Sequence, residues 1–179
     1  MDANVRRVGI ARVKAKTYYE RWMDQEGIPI VEGFGVRDVR RISLKPWARL
    51  RCDGAFLQLR GLEGITGVYV GRVAPGTMTE PEKHLYEKVV YIAQGEGVAE
   101  FQQRGRVPQS ISWKAGSLFS PPLNATHRLI NHSKNPAIFV AVTTAPMILD
   151  HFHNEKFVFN SDFTFSDRYD GEGDYFNVG

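Results

Sequence analysis

The chain is predicted to be all-β, and three observations carry that prediction. From Val36 onward, eight short segments are rich in β-branched or aromatic residues: FLQLR, GVYVGRV, KVVYIAQ, GVAEFQQ, ISW, SLFS, HRLIN and AIFVAVTT. Gly, Pro or Asn separates nearly all of them, the punctuation expected between strands. Their near-regular spacing leaves no room for helix-length crossovers, so the pattern suits an antiparallel sandwich or barrel rather than βαβ units.

The elements follow in order. Residues 5–25 contain no proline, and Val5, Val8, Val13, Tyr18 and Trp22 form a loose helical stripe, which predicts a helix or an extended arm. Gly27, Pro29, Gly33 and Gly35 then break that segment. The strand-like segments run from residue 56 to residue 144, and Gly95-Glu96-Gly97 is expected to be a hairpin turn between two of them. Pro146 opens a short helical turn. The last residues are acidic and aromatic, with too many Phe and Tyr for a disordered tail, so they are expected to lie on the barrel or on a partner subunit. The expected organisation is an N-terminal helix or arm at 1–35, a β-domain at 36–145 and a C-terminal extension at 146–179.

Composition narrows the function. The chain has 179 residues, 42% of them hydrophobic, enough for one domain with a real core. No run of about 18 apolar residues exists, so no helical membrane span is expected. The first ten residues lack the apolar core of a secretory signal, and Cys52 is the single cysteine. Both point to a reducing, cytoplasmic setting, with Cys52 as a small buried residue. Residues 1–60 hold 13 Lys/Arg against 7 Asp/Glu, whereas residues 150–179 hold 2 against 7. These opposite ends are expected to attract each other within a chain or across a homodimer. No recognition-helix motif accompanies the basic start, so nucleic acid is not expected as a partner.

Two stretches carry chemistry. In EKHLYEKVVYIAQGEG, residues 82–97, strand alternation places Glu82, His84, Tyr86 and Lys88 on one face and Glu87 on the other. In GSLFSPPLNATHRLIN, residues 116–131, a strand ends at Pro121-Pro122, a loop crosses, and His127 opens the next strand. A third stretch, DHFHNE, sets His151, His153 and Glu155 at alternating spacing. It follows a proline-led helical turn, where residues two apart do not share a face, so a surface or packing role is expected.

Together the two stretches resemble the cupin superfamily. Gly116, Pro122, His127 and Asn131 fall at the spacing of the family's second motif, with Asn124 in its second glycine position. The first motif fits in frame but not in chemistry. Gly95 anchors its end and His84 takes its second histidine position, but Glu82 stands at the first histidine and Lys88 at the glutamate. The resemblance spans roughly residues 64–145. It implies one small jelly-roll barrel of six to eight strands, with the motif residues converging inside on a divalent transition metal: Fe, Mn, Ni, Co, Cu or Zn.

Carried over residue by residue, the resemblance implies Glu82, His84 and His127 as metal ligands, leaving the remaining coordination positions open to water or substrate. Lys88 cannot ligate while protonated. It would instead hold an anionic substrate, with Tyr86 as a proton donor. The implied function is a metal-dependent dioxygenase or decarboxylase acting on a small carboxylated or aromatic metabolite. Two alternatives stay open at this point: a metal-free isomerase or lyase using His84 and Lys88, in which Lys88 and Glu82 form a buried ion pair, and a ligand-binding sensor without enzymatic activity.

Overall fold

The computed structural model describes residues 15–62 and 64–171. Helix α1 (Tyr18–Glu26) accounts for the end of the expected N-terminal helix; Val5, Val8 and Val13 of the predicted stripe lie outside the described residues. Thr17 and Glu20 form a reciprocal capping box at its start, and Gly27, at φ 70°, ends it.

Ten strands follow: β1 (Ile30–Gly33), β2 (Lys45–Trp47), β3 (Cys52–Leu59), β4 (Gly67–Val73), β5 (Lys88–Gln94), β6 (Glu96–Gln102), β7 (Gln109–Lys114), β8 (Leu118–Phe119), β9 (Thr126–Asn131) and β10 (Ala137–Thr143). Two short helices close the described chain, α2 (Ala145–Phe152) and α3 (Glu155–Asn160). One sheet runs β1-β3-β4-β10-β5-β8, with β2 also paired to β3; the other runs β7-β6-β9. The expected all-β class and the eight predicted strands are all present.

Three readings of the strands need correction. The segment around Pro29 and Gly33 looked like a pure breaker, yet it forms β1, parallel to β3. An edge strand needs ladder bonds on one side only, and here Phe56 and Arg60 donate their N–H groups to the carbonyls of Pro29 and Gly33, each at 2.8 Å. Strand β2 was missed because KPW is short and carries a proline, which an edge position likewise tolerates. Gly95-Glu96-Gly97 is not a hairpin turn. Strand β5 pairs with β10 and β8, while β6 pairs with β7 and β9, so Gly95 carries the chain around a corner from one sheet to the other. Gly95 sits at φ 96°, and a Cβ on Gly97 would lie 1.9 Å from the Ile130 carbonyl oxygen, so both positions require glycine. A register shift in β10 at Ile138/Phe139 absorbs the same bend.

The space between the sheets is filled by aromatic rings. Trp47, Phe56, Tyr69 and Phe139 meet edge to face, and α1 adds Trp22 against Phe56. A second apolar layer lies on the outer face of the larger sheet, where Leu57, Val68, Val70 and Ile138 are covered by Val36, Val39, Ile42 and Leu44. Beyond that cover, Val89, Tyr91, Val142 and Leu118 remain exposed.

Much of the C-terminal extension lies against the barrel. Val158, Phe159 and Tyr169 are buried, whereas Phe157 and Phe163 face solvent. The amide of Asn124 donates to the carbonyls of Ser161 (3.1 Å) and Phe163 (2.7 Å), tying the tail across one end of the barrel. His151 lies on α2 and is exposed, and His153 caps α2 at φ 49° and stacks on Tyr18 at 5.0 Å. Their expected packing and surface roles match this placement. Cys52 is free and buried, and burial pushes its thiol up to about 12.

Candidate metal centre

Residues 82 and 84 do not belong to β5, which starts only at Lys88. They sit on a separate run that lies antiparallel to β9. Thr79 and Glu82 donate to the carbonyls of Leu129 and His127 (each 2.9 Å), and His127 donates back to Glu82 at 2.8 Å. Between them the pairing lapses, because Glu80 turns its N–H to the Leu50 carbonyl and Pro81 has none. Glu82 and His127 are therefore direct cross-strand neighbours. The parity argument placed the side chains of residues 82, 84, 86 and 88 inward for a strand that is not regular. The side chains converge because tertiary pairing, rather than one continuous strand, sets their direction.

Each imidazole is held by the backbone. His84 Nδ1 lies 2.8 Å from the Tyr86 carbonyl oxygen, and His127 Nδ1 lies 3.0 Å from that of Ala125. A carbonyl only accepts, so each Nδ1 carries the proton and each Nε2 presents a lone pair. Both Nε2 atoms are buried without a hydrogen-bond partner. The rings meet edge to face, with centroids 5.1 Å apart; Tyr86 stacks flat on His84 at 3.7 Å, and Phe101 flanks His127. His127 Nε2 is 3.4 Å from a Glu82 carboxylate oxygen. One donor atom from each of Glu82, His84 and His127 lies within 4.8 Å of the others.

This set fits a cation. Two imidazole lone pairs and a carboxylate point at one another, and facing acceptors repel unless a positive charge stands between them. Two nitrogens and one oxygen suit a divalent transition ion. Lys88 supplies part of that charge already. Its ammonium donates to Glu82 and, at 3.4 Å, to the Tyr69 hydroxyl, leaving both Nε2 atoms unserved.

The charges shift one another. Burial alone would raise the Glu82 carboxyl, but the Lys88 charge holds it well below the usual range. Burial, followed by the Lys88 charge, pushes His84 well down and His127 down, so both imidazoles are neutral and able to ligate at neutral pH. Burial also lowers Lys88, against the pull of Glu82. The side chain of Lys88 is 3% exposed, whereas Glu82 keeps 16%. Glu87, the alternative carboxylate, points outward at 70% exposure, as its parity predicted.

The interior beside the site is almost full. The void bounded by Glu82, Lys88, His127, Phe101, Phe119 and Phe139 measures about 10 Å³, room for about one water. Of the two occupants expected at the open coordination positions, water or substrate, this void admits water.

Sequence reasoning missed Tyr69 and Arg49. Tyr69 lies on β4, which is buried on both faces and so shows no alternation to mark an inward side chain. Arg49 belongs to a turn far from either motif; its guanidinium is 4.3 Å from the Phe159 ring centroid. No signal in the local sequence marks it.

Residues 69–143 match the family model described as the cupin domain. No curated protein matches the chain. Among solved structures, the plu4264 protein from Photorhabdus luminescens aligns at TM-score 0.51 and 18% identity, over 66% of this chain and 95% of that one. Oxalate decarboxylase from Lactobacillus farciminis, in a formate complex, aligns at TM-score 0.51 and 16% identity, over 67% of this chain and 42% of that one. An oxalate oxidase in complex with glycolate aligns at TM-score 0.42 and 22% identity, over 44% of this chain. This chain thus spans 41% of the oxalate oxidase and 42% of the decarboxylase. At these identities the likeness concerns the fold. The motif spacing, the two-sheet barrel and the family match coincide on residues 69–143, a segment similar to the cupin domain.

Proposed function

We propose that this protein is a metal-dependent cupin enzyme, a dioxygenase or decarboxylase of a small carboxylated or aromatic metabolite. The observation that carries the reading is the pair of buried imidazoles, each locked by a backbone carbonyl so that an unpartnered Nε2 faces Glu82. Glu82, His84 and His127 would hold one divalent transition metal, which when bound supplies Lewis-acid or oxygen-activating chemistry.

The chain's own residues supply the rest. The Tyr86 and Ala125 carbonyls keep both imidazoles in the ligating tautomer. Lys88 adds a positive charge that matches the Glu82 carboxylate. Tyr86 stacks flat on His84 and keeps its proton through the neutral range, since burial and then Glu82 raise its phenol well above its ordinary value. The filled interior excludes bulk water from the two imidazoles.

A second reading has its own observation. Lys88 stands at the family's glutamate position and already neutralises Glu82, as in a metal-free isomerase or lyase using His84 and Lys88, or in a binding cupin. Metal analysis of protein purified without added metal separates the two. The metal-dependent reading expects close to one transition ion per chain, lost in His127→Ala; a metal-free wild type that turns over substrate sinks it.

The exposed Val89, Tyr91, Val142 and Leu118 support a homodimer as the assembly, since two-fold dimers are the commonest way to cover such a face. Among the described residues no helix is long and apolar enough to cross a membrane. The single cysteine supports a reducing, cytoplasmic setting, with a small molecule as partner.

A further inference from the structure

Glu82 has two sides. One faces the nearly filled interior. The other forms the floor of a surface cleft of about 310 Å³, walled by Arg49, Lys83, Thr126, Phe159 and Asn160. That volume is at the small end of ligand sites, and the cleft reaches a metal-ligating group from solvent.

The lining is chemically specific. Arg49 and Lys83 are its cations, and the one carboxylate on the floor, Glu82, is already matched by Lys88. Arg49 is pinned on one side: Nε donates to Glu26 at 2.8 Å, Nη2 lies 2.7 Å from the same carboxylate and 3.8 Å from that of Glu155, and the guanidinium lies against Phe159 and, at 5.4 Å, Trp22. Its Nη1 has no hydrogen-bond partner among the described residues. Lys83 bonds the Ser161 carbonyl at 2.8 Å and lies 3.6 Å from the exposed Asp162 carboxylate, and an ammonium has a further donor to give. A fixed guanidinium backed by an aromatic ring is a preorganised acceptor of a planar carboxylate.

We propose that this cleft, and not the barrel interior, is where substrate docks, and that it takes a small carboxylate anion held by Arg49 and Lys83 against the Glu82 side of the centre. The inference rests on the reading of Glu82, His84 and His127 as the reacting centre. Arg49 is a substrate-binding residue that determines specificity, and the ring of Phe159, stacked with Trp22, backs its guanidinium.

Malonate is the probe, titrated by calorimetry into wild-type protein with and without Mn(II), with malonamide as the uncharged control. Malonate binds and malonamide does not. Arg49→Gln weakens malonate about tenfold or more, the loss of a charge-assisted contact, and Arg49→Lys recovers part of it. Lys83→Gln costs less, about threefold, because its ammonium is more hydrated. Mn(II) affinity changes by no more than about twofold in any of these variants, since none removes a ligand.

Wild-type protein that ignores malonate, or equal affinity in wild type and both Gln variants, overturns the proposal. If Arg49→Gln fails to fold in a thermal melt, Lys83→Gln and Arg49→Lys decide it. The Mn(II) titration by itself tests the metal reading. Arg49-dependent malonate binding without Mn(II) uptake keeps the cleft and removes the metal; Mn(II) uptake with Arg49-independent malonate binding does the reverse.

Discussion

Residues 82–94 and 116–131 lie side by side in the barrel, yet they depart from the cupin pattern in different ways. The later stretch keeps its backbone positions. Asn124 takes the glycine place at φ 58°, which its short amide tolerates, and uses its side chain to hold the tail. Asn131 is fully buried and donates to the carbonyls of Val73, Ala74 and Asn135 at 2.9–3.2 Å, closing the loop before β10. The earlier stretch keeps its frame but exchanges its chemistry: Glu82 and Lys88 replace a neutral and an anionic ligand with an ion pair. Residues that satisfy backbone groups resist exchange, because each loss strands buried carbonyls. Residues that point into a cavity can be exchanged as a set, provided their charges still cancel.

Lys88→Glu tests this contrast most severely. It removes the cation from the three acceptors and adds a fourth ligand. Mn(II) or Fe(II) affinity should rise at least about tenfold, while the metal-free protein loses about 3–5 kcal/mol, the cost of an uncompensated buried charge. Calorimetry and urea melts with and without metal read both. Unchanged affinity would mean that the Lys88 position does not face the centre.

Asn131→Ala tests the scaffold side. Three carbonyls lose their donor, and stability should fall by about 2–4 kcal/mol, with metal affinity altered only through folding. A loss equal to that of Lys88→Glu, together with lost metal binding, would erase the distinction between the two stretches.

The smallest expected effect is the pH dependence of the metal-free protein. His84 and His127 face Glu82, Lys88, Tyr86 and each other, and their folded values are lowered, chiefly by burial and then by Lys88. The unfolded chain therefore takes up protons that the folded chain refuses once pH falls below about 6.5. Stability contributed above that pH is lost on acidification, more for His84, whose value is well lowered, than for His127. Glu82, also lowered, adds a further loss only below about pH 4.3. Urea melts across this range should show the slope, and His127→Ala should flatten it. A flat profile in the wild type would mean that these rings charge freely.

The amino-acid sequence by itself determined the β class, most of the strands, the placement of Asn124 in a left-handed turn and the identity of the three clustered donors. The β class and the strands follow from local physics, side-chain branching and the period of two, whereas the three donors and the Asn124 position came from the resemblance to the cupin motifs. Only the tertiary structure decided three other matters. β1 is a strand because β3 offers it hydrogen-bond partners, which no local signal at Pro29 reveals. Gly95 turns a corner between sheets instead of a hairpin because the partners of β5 and β6 lie far away in sequence. The centre is closed from within and approachable from the Glu82 side because Phe101, Phe119 and Phe139 fill the space between the sheets, while Arg49 and α3 shape the outer cleft. Packing of residues distant in sequence sets void and access, and the spacing of residues along one strand carries no record of it.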